Sequence, residues 1–194
     1  MNRQVQIPML QTERLWLRQL HPGDVDDIYL LFSNPNVMKY DGGFVLRDKK
    51  QADEYIYTIG NSLVYENKVG ITWAFIERKT GDFVGTGGIK NWYGRQHAEV
   101  GLVIAEQYWN RKFGREALQK IVQFAFEKLK LTYVYAATLP ENKQAIRLVE
   151  RLGFRFQGWN HHYWLANQYV QAMVFIQENP LYKKIEERND IGKK

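Results

Sequence analysis

The stretch Trp109, Asn110, Arg111, Lys112, Phe113 and Gly114 joins a strand-like segment, His97–Ile104, to an amphipathic segment. That second segment opens near Arg115 and carries Leu118, Ile121, Val122, Ala125 and Leu129 at helical spacing. The first amides of a helix lack partners within it, and the helix dipole places partial positive charge there. Arg111, Lys112 and Arg115 add full charges at the same spot. Such a turn suits a pyrophosphate; the plainer reading is an ordinary strand-to-helix connection with surface cations. Farther on, Asn142 precedes a second amphipathic segment, where asparagine serves well as an N-cap.

Other constellations are less productive. The chain has no cysteine, which excludes a disulfide framework, a thiolate metal site and a cysteine nucleophile. Its serines, Ser33 and Ser62, stand in no G-x-S-x-G elbow. The adjacent His161 and His162 point to opposite sides of an extended chain, with no ligand at metal spacing, so no metal is expected. Gly85, Thr86, Gly87 and Gly88 imitate a dinucleotide fingerprint, but no helix follows them. The formal charge of +6 suits an anionic cofactor, RNA or an acidic protein surface, or simply a solvated basic exterior. The basic residues are dispersed and no nucleic-acid motif accompanies them, so DNA is not an expected partner. No signal-peptide core or bilayer-length apolar run is visible, and a cytoplasmic protein without membrane contact is expected.

The elements that must position these residues follow from periodicity. Leu15 and Leu17 alternate with polar neighbours in an opening strand. A turn at Pro22, Gly23 and Asp24, with Asp24 as N-cap, leads into a helix through Val25, Ile28, Leu31 and Phe32, stopped by Asn34 and Pro35. A second helix is expected over residues 47–65, weakened by Gly60. Strands around 71–76 and 83–89, joined by Lys79, Thr80, Gly81 and Asp82, form a hairpin. After His97–Ile104 and its helix come a strand at 132–138 and a helix through Ala145, Leu148, Val149 and Leu152, stopped by Gly153. Strands are then expected at 154–158, around Tyr163 and Trp164, and at 169–175, before a polar tail over 179–194. The order describes one mixed α/β domain over residues 1–178.

Four stretches in order resemble the GNAT acetyltransferases, in particular the branch of ribosomal-protein N-terminal acetyltransferases. They are Thr12 to Arg18, Ala98 to Leu102, Tyr108 to Ala117, and Asn142 to Phe154, and the resemblance covers residues 12–175. It implies a GNAT fold, with a mixed, mostly antiparallel central sheet flanked by helices. It also implies acetyl-CoA as cosubstrate. Trp109, Asn110, Arg111, Lys112, Phe113, Gly114 and Arg115 would hold the pyrophosphate. The strand edge at Leu102, Val103 and Ile104 would pair with pantetheine. An amide near Leu102 would polarise the thioester carbonyl, and Asn142 would bond pantetheine or the thioester. Glu99 then has two readings: a base acting through water on the acceptor amine, or a strand carboxylate at the surface, paired to a cation. His97 shares its strand face and is a weaker candidate for the same base, with a surface imidazole as the favoured reading.

The sequence departs from the family pattern in three ways. Lys112 stands where the family usually has glycine; if the backbone needs positive φ there, a lysine costs roughly 1–2 kcal/mol. Val149 replaces the tyrosine that many members use to protonate the leaving thiolate, so another group or water does that work, or CoA leaves as the thiolate. Asn167 and Gln171 stand near where the branch often shows a glycine and an acid. The expected acceptor is a primary amine, by resemblance a protein or peptide N-terminus, with transient ribosome contact. Polyamines, aminoglycosides, other small amines or a catalytically weak acyl-CoA-binding module are the alternatives, and the basic charge of the chain mildly disfavours polyamines. Tyr163, Trp164 and Tyr169 either line the acceptor pocket or only pack. The assembly is a monomer or a homodimer.

Overall fold

The computed structural model describes residues 7–41, 45–60, 70–92, 96–165 and 168–182, without the side chains of Trp164 and Leu165. Eight strands form one sheet in the order β1-β2-β3-β4-β5-β6-β8-β7. They are β1 Leu10–Gln11, β2 Leu15–Gln19, β3 Ile71–Glu77, β4 Phe83–Lys90, β5 His97–Ile104, β6 Tyr133–Thr138, β7 Arg155–Leu165 and β8 Gln168–Glu178. Every pairing is antiparallel except β5 with β6. The helices are α1 Val25–Ser33, α2 Pro35–Met38, α3 Lys49–Gly60, α4 Phe113–Glu127 and α5 Lys143–Arg151.

The sheet core is built around β3 and β4, buried along nearly their whole length, as expected of strands covered on both faces. Trp73 and Phe75 are wholly enclosed, and Trp73 meets Phe124 of α4 edge-on at 5.5 Å. The glycines of β4 answer to crowding: a Cβ on Gly88 would lie 1.8 Å from the Ile71 carbonyl oxygen, and one on Gly85 would lie 2.2 Å from that of Val103. α4 lies across β2, β4, β5 and β6, while α3 packs on β3 and α1.

Several expectations need correction. Asp24 does not cap α1 with its side chain; its carboxylate turns back to the Arg18 guanidinium (2.6 and 2.8 Å) and the His21 amide (3.0 Å). That pairing satisfies a carboxylate that is almost wholly buried. The strands expected at 154–158 and around Tyr163 are one bent strand, β7, with register shifts at Phe156/Gly158 and Asn160/Tyr163. α4 begins at Phe113, two residues earlier than its apolar periodicity implied. The second helix is described over Lys49–Gly60; the rest of its expected span, 61–65, Asn167 and the tail beyond 182 lie outside the described residues.

Candidate functional site

β5 and β6 stay paired only over His97↔Tyr133, Ala98↔Val134 and Glu99↔Tyr135. Beyond Glu99, β5 continues to Ile104 along β4, while β6 continues to Thr138 along β8. The two central strands therefore part, and the sheet opens a notch whose floor is Glu99. Which backbone groups face the notch follows from antiparallel alternation. Ala105 donates its N–H to Val84 of β4 at 2.9 Å, so residues of its parity point to β4 and Leu102 points its N–H and C=O into the notch. Ile104 has the same outward direction, but its carbonyl accepts from the Trp109 indole at 2.8 Å. Trp109 thus pins the turn to the end of β5.

That turn leads straight onto α4. Asn110 and Lys112 both have positive φ, 61° and 66°. Lys112 is the N-cap residue in the left-handed region, without a capping side-chain bond, so the loop does need the conformation that glycine adopts cheaply. The first bond of the helix runs from the Glu116 amide to the Lys112 carbonyl at 3.2 Å, so the preceding amides of the first turn have no partner within α4. Lys112 and Arg115 are exposed, and among the described residues neither forms an ion pair. Arg111 differs: its guanidinium lies 3.7 Å from Glu77 and over the rings of Tyr108 (5.3 Å) and Phe113 (5.1 Å). It braces the loop against β3. Phe113 is buried, and Gly114 sits over Leu102 and Ile104, where a Cβ would meet their side chains at 3.5 and 3.4 Å.

Sequence reasoning missed the anchor of this loop. Glu116, in the first turn of α4, accepts from the Thr12 hydroxyl (2.5 Å), the Arg14 amide (2.7 Å) and Arg14 Nε (2.8 Å). Arg14 in turn lies 4.4 Å over Phe113 and donates to the Arg111 carbonyl at 3.1 Å. Burial alone would raise the Glu116 carboxyl, but the bonds from Thr12 and Arg14 and the Arg14 charge hold it below the ordinary range. The visible signal was a Glu in a first helical turn, which reads only as a dipole partner.

The opposite face of β5 carries Glu99, Gly101 and Val103. Glu99 is half-buried, and Asn91 donates to it at 2.7 Å. Burial pushes its carboxyl above the usual range, Lys90 and the Asn91 bond pull it back, and Asp41 adds to the rise. Among the described residues, a Cβ on Gly101 would meet nothing within 4 Å, so no described side chain fills the place beside Glu99. His97 is half-buried and stacks on Tyr133 at 4.7 Å and 7°. Across the notch, Asn142 caps α5, its Oδ1 accepting from the Ala145 amide at 3.1 Å. Its side-chain NH2 group is not used by that bond. Val149 is buried in the same helix. Tyr163 is half-buried on the Glu99 face, whereas Tyr169 is exposed on the other. Among the described residues no cluster of three or more potential metal ligands occurs, and no helix is long and apolar enough to cross a membrane.

The family model for the acetyltransferase (GNAT) domain matches residues 14–155. The chain belongs to the GNAT acetyltransferase family. The uncharacterized N-acetyltransferase YoaA of Bacillus subtilis is 32% identical over 162 residues, covering 82% of this chain and 90% of its own. Among solved GNAT folds, spermidine N-acetyltransferase from Vibrio cholerae, in complex with CoA and spermine, superposes with a TM-score of 0.73 at 22% identity. That match covers 88% of this chain and 99% of the other. The ribosomal-protein-S5-alanine acetyltransferase from Vibrio fischeri gives 0.72 at 14%, covering 89% and 97%. The GNAT fold expected from the four motifs is thus the fold observed, and the chain is an N-acetyltransferase.

Proposed function

We propose that this acetyltransferase moves an acetyl group from acetyl-CoA directly to a primary amine, foremost the N-terminus of a protein or peptide. The observation that carries the reading is the notch: the sheet parts at Glu99, and the next turn supplies first-turn helix amides without partners in the helix and two cations that form no ion pair among the described residues. A strand edge beside an anion site matches a ligand made of an amide-bearing arm and a pyrophosphate.

In this reading the first-turn amides, with Asn110, Lys112 and Arg115, hold the pyrophosphate, and Arg111 and Trp109 keep the turn in shape. The Leu102 to Ile104 edge bonds the pantetheine amides. The bound cosubstrate supplies an activated acetyl thioester. The Leu102 N–H stabilises the negative charge that develops on the carbonyl oxygen, and Asn142 helps hold the thioester through its free NH2. Glu99 takes the amine proton through water. Roughly a tenth of an α-amine is neutral near pH 7, against about one in a few thousand lysine side chains. A half-buried carboxylate with a raised pKa is the more useful base for either.

A polyamine acceptor is a second reading. Its support is the pair of carboxylates, Glu99 and Asp41, close enough for each to be felt by the same groups. Calorimetric titration with acetyl-CoA, followed by turnover with an alanine-initiated peptide, a serine-initiated peptide and spermidine, tests both. Micromolar binding with peptide turnover supports the first reading, and spermidine turnover alone supports the second. Absence of binding at millimolar acetyl-CoA sinks both.

A further inference from the structure

The bend in β7 has a consequence for the acceptor side of the notch. Facing partners in a sheet share a face, and faces alternate along a strand. Glu99 pairs with Tyr135, and Tyr135 with Ile176 of β8. Counting by two along β8 from Ile176, Val174, Ala172 and Val170 lie on the Glu99 face. Asn160 is opposite Ala172 and Tyr163 is opposite Val170, so β7 spends three steps where β8 spends two. Without that extra residue, His162 would face Val170 and Tyr163 would point to the other side of the sheet. The bulge is held by Asn160, whose Oδ1 accepts from the His162 amide at 3.0 Å. Bulges of this kind commonly re-aim a side chain at a functional site.

We propose that Tyr163 is the acceptor-positioning residue of this enzyme, its phenol oxygen accepting an N–H of the acceptor amine in the place beside Glu99 and Gly101. The inference rests on the acetyl-transfer reading and adds a residue to it. Glu99 floors the notch, no described atom lies within 4 Å of a Cβ on Gly101 on the same face, and Tyr163 stands half-buried on that face. The amine then has two polar partners, one through water at Glu99 and one at the phenol. Its lone pair is free for the thioester carbon.

The charges around the phenol decide what it does not do. Burial, then the charges of Glu99 and Asp41, push the Tyr163 hydroxyl up to about 12. Glu99 itself is faced by Lys90, Asn91 and Asp41. A thiol ordinarily titrates near ~8.5, so handing a proton from this phenol to a leaving thiolate would run uphill. An ordinary tyrosine already lies above a thiol, and the further rise makes Tyr163 a weaker acid than the tyrosine that Val149 replaces. Tyr163 stays neutral across the working pH range and acts through geometry alone.

The test compares the full-length wild type with Tyr163→Phe and Asn160→Ala, using acetyl-CoA calorimetry and steady-state turnover with the best amine of the peptide and spermidine panel. Tyr163→Phe keeps the ring and removes the oxygen. The expected result is an amine KM raised about tenfold, the effect of one hydrogen bond to a charged or polar partner. The kcat should stay within about twofold and acetyl-CoA affinity should not move, since no transition-state charge is lost. Asn160→Ala loosens the bulge and should raise the amine KM in the same direction by a smaller factor. An unchanged amine KM in Tyr163→Phe overturns the assignment, as does an equal loss of acetyl-CoA affinity, which would mark a structural role. A wild type that binds no acetyl-CoA overturns the acetyl-transfer reading instead, and the assignment with it.

Discussion

The two faces of β5 solve different problems with different material. On the α4 face the groups offered are backbone amides, two exposed cations and a turn forced into the left-handed region at Asn110 and Lys112. On the other face they are side chains: a half-buried carboxylate with a raised pKa, a neutral phenol, and a place above Gly101 that no described side chain fills. Backbone donors recognise any phosphate in that position and tolerate sequence change. Side chains set protonation and shape, and tolerate little. On the proposed assignment, the α4 face, taken to hold acetyl-CoA, should degrade gradually under mutation, and the Glu99 face, taken to meet the acceptor, abruptly.

The sharpest way to test that contrast is Glu99→Gln. It should lower kcat/KM with a primary amine by about 10²–10⁴-fold, the range for a lost general base, while leaving acetyl-CoA affinity intact. The pH profile gives the sign. The folded-state pKa of Glu99 lies above its ordinary value, so in the wild type the rate climbs as pH rises through that raised pKa. The variant should lack this acidic limb. Because the fold disfavours the charged carboxylate, Glu99→Gln should also raise Tm above the ordinary carboxylate range and leave it unchanged below. A loss of rate with the acidic limb still present would remove Glu99 from the mechanism.

On the other face, Lys112→Glu combined with Arg115→Glu should weaken acetyl-CoA about 30- to 100-fold at low salt, with a smaller loss at high salt because both charges are exposed. Arg111→Glu is expected to act otherwise. Its guanidinium is engaged with Glu77 and two rings, so that substitution should lower Tm before it lowers affinity. Equal effects of all three on affinity, measured by calorimetry, would erase the distinction between the brace and the two exposed cations.

Much of the cosubstrate side was legible in the sequence, because a strand, a basic turn and an amphipathic helix are contiguous there. The turn at Lys112 and the N-cap at Asn142 could be read locally, while the role expected of Leu102 came from the family resemblance alone. The acceptor side was not, because its residues come from separate strands whose relative register no local pattern encodes. Tyr163 shows why: alternation carried along β7 from Asn160 puts it on the wrong face, and only the bulge corrects the parity. The β5–β6 notch was equally hidden, since both strands keep ordinary strand patterns to their ends. The tie from Glu116 to Thr12 and Arg14 joins residues more than a hundred positions apart, a distance over which periodicity says nothing.

That tie sets the next expected effect. Glu116→Ala removes three bonds to a carboxylate and leaves Arg14 over Phe113 without its partner. A loss of about 2 kcal/mol of stability is expected, read by denaturant unfolding. The pKa of Glu116 is depressed, so its contribution is present above the ordinary carboxylate range and disappears as pH falls through the folded-state value. The difference between wild type and variant should therefore shrink in acid. A difference that persists below both pKa values would mean that packing, not the charge, holds β2 to α4.

The smallest effect concerns the strain in the phosphate turn. Lys112 holds φ of 66° with no capping bond to offset it, and a left-handed non-glycine residue costs roughly 1–2 kcal/mol. Glycine removes that strain but adds freedom to the unfolded chain, so Lys112→Gly should stabilise by about 0.5–1 kcal/mol net. It also removes one exposed cation beside the helix terminus, which should cost only a few-fold in acetyl-CoA affinity. The two readouts move in opposite directions, and that opposition is the point of the experiment. If Lys112→Gly gains stability and loses affinity, the lysine is kept for its charge in spite of its backbone. If stability rises and affinity is unchanged, the amides alone hold the phosphates, and the backbone description of this face holds without the lysine.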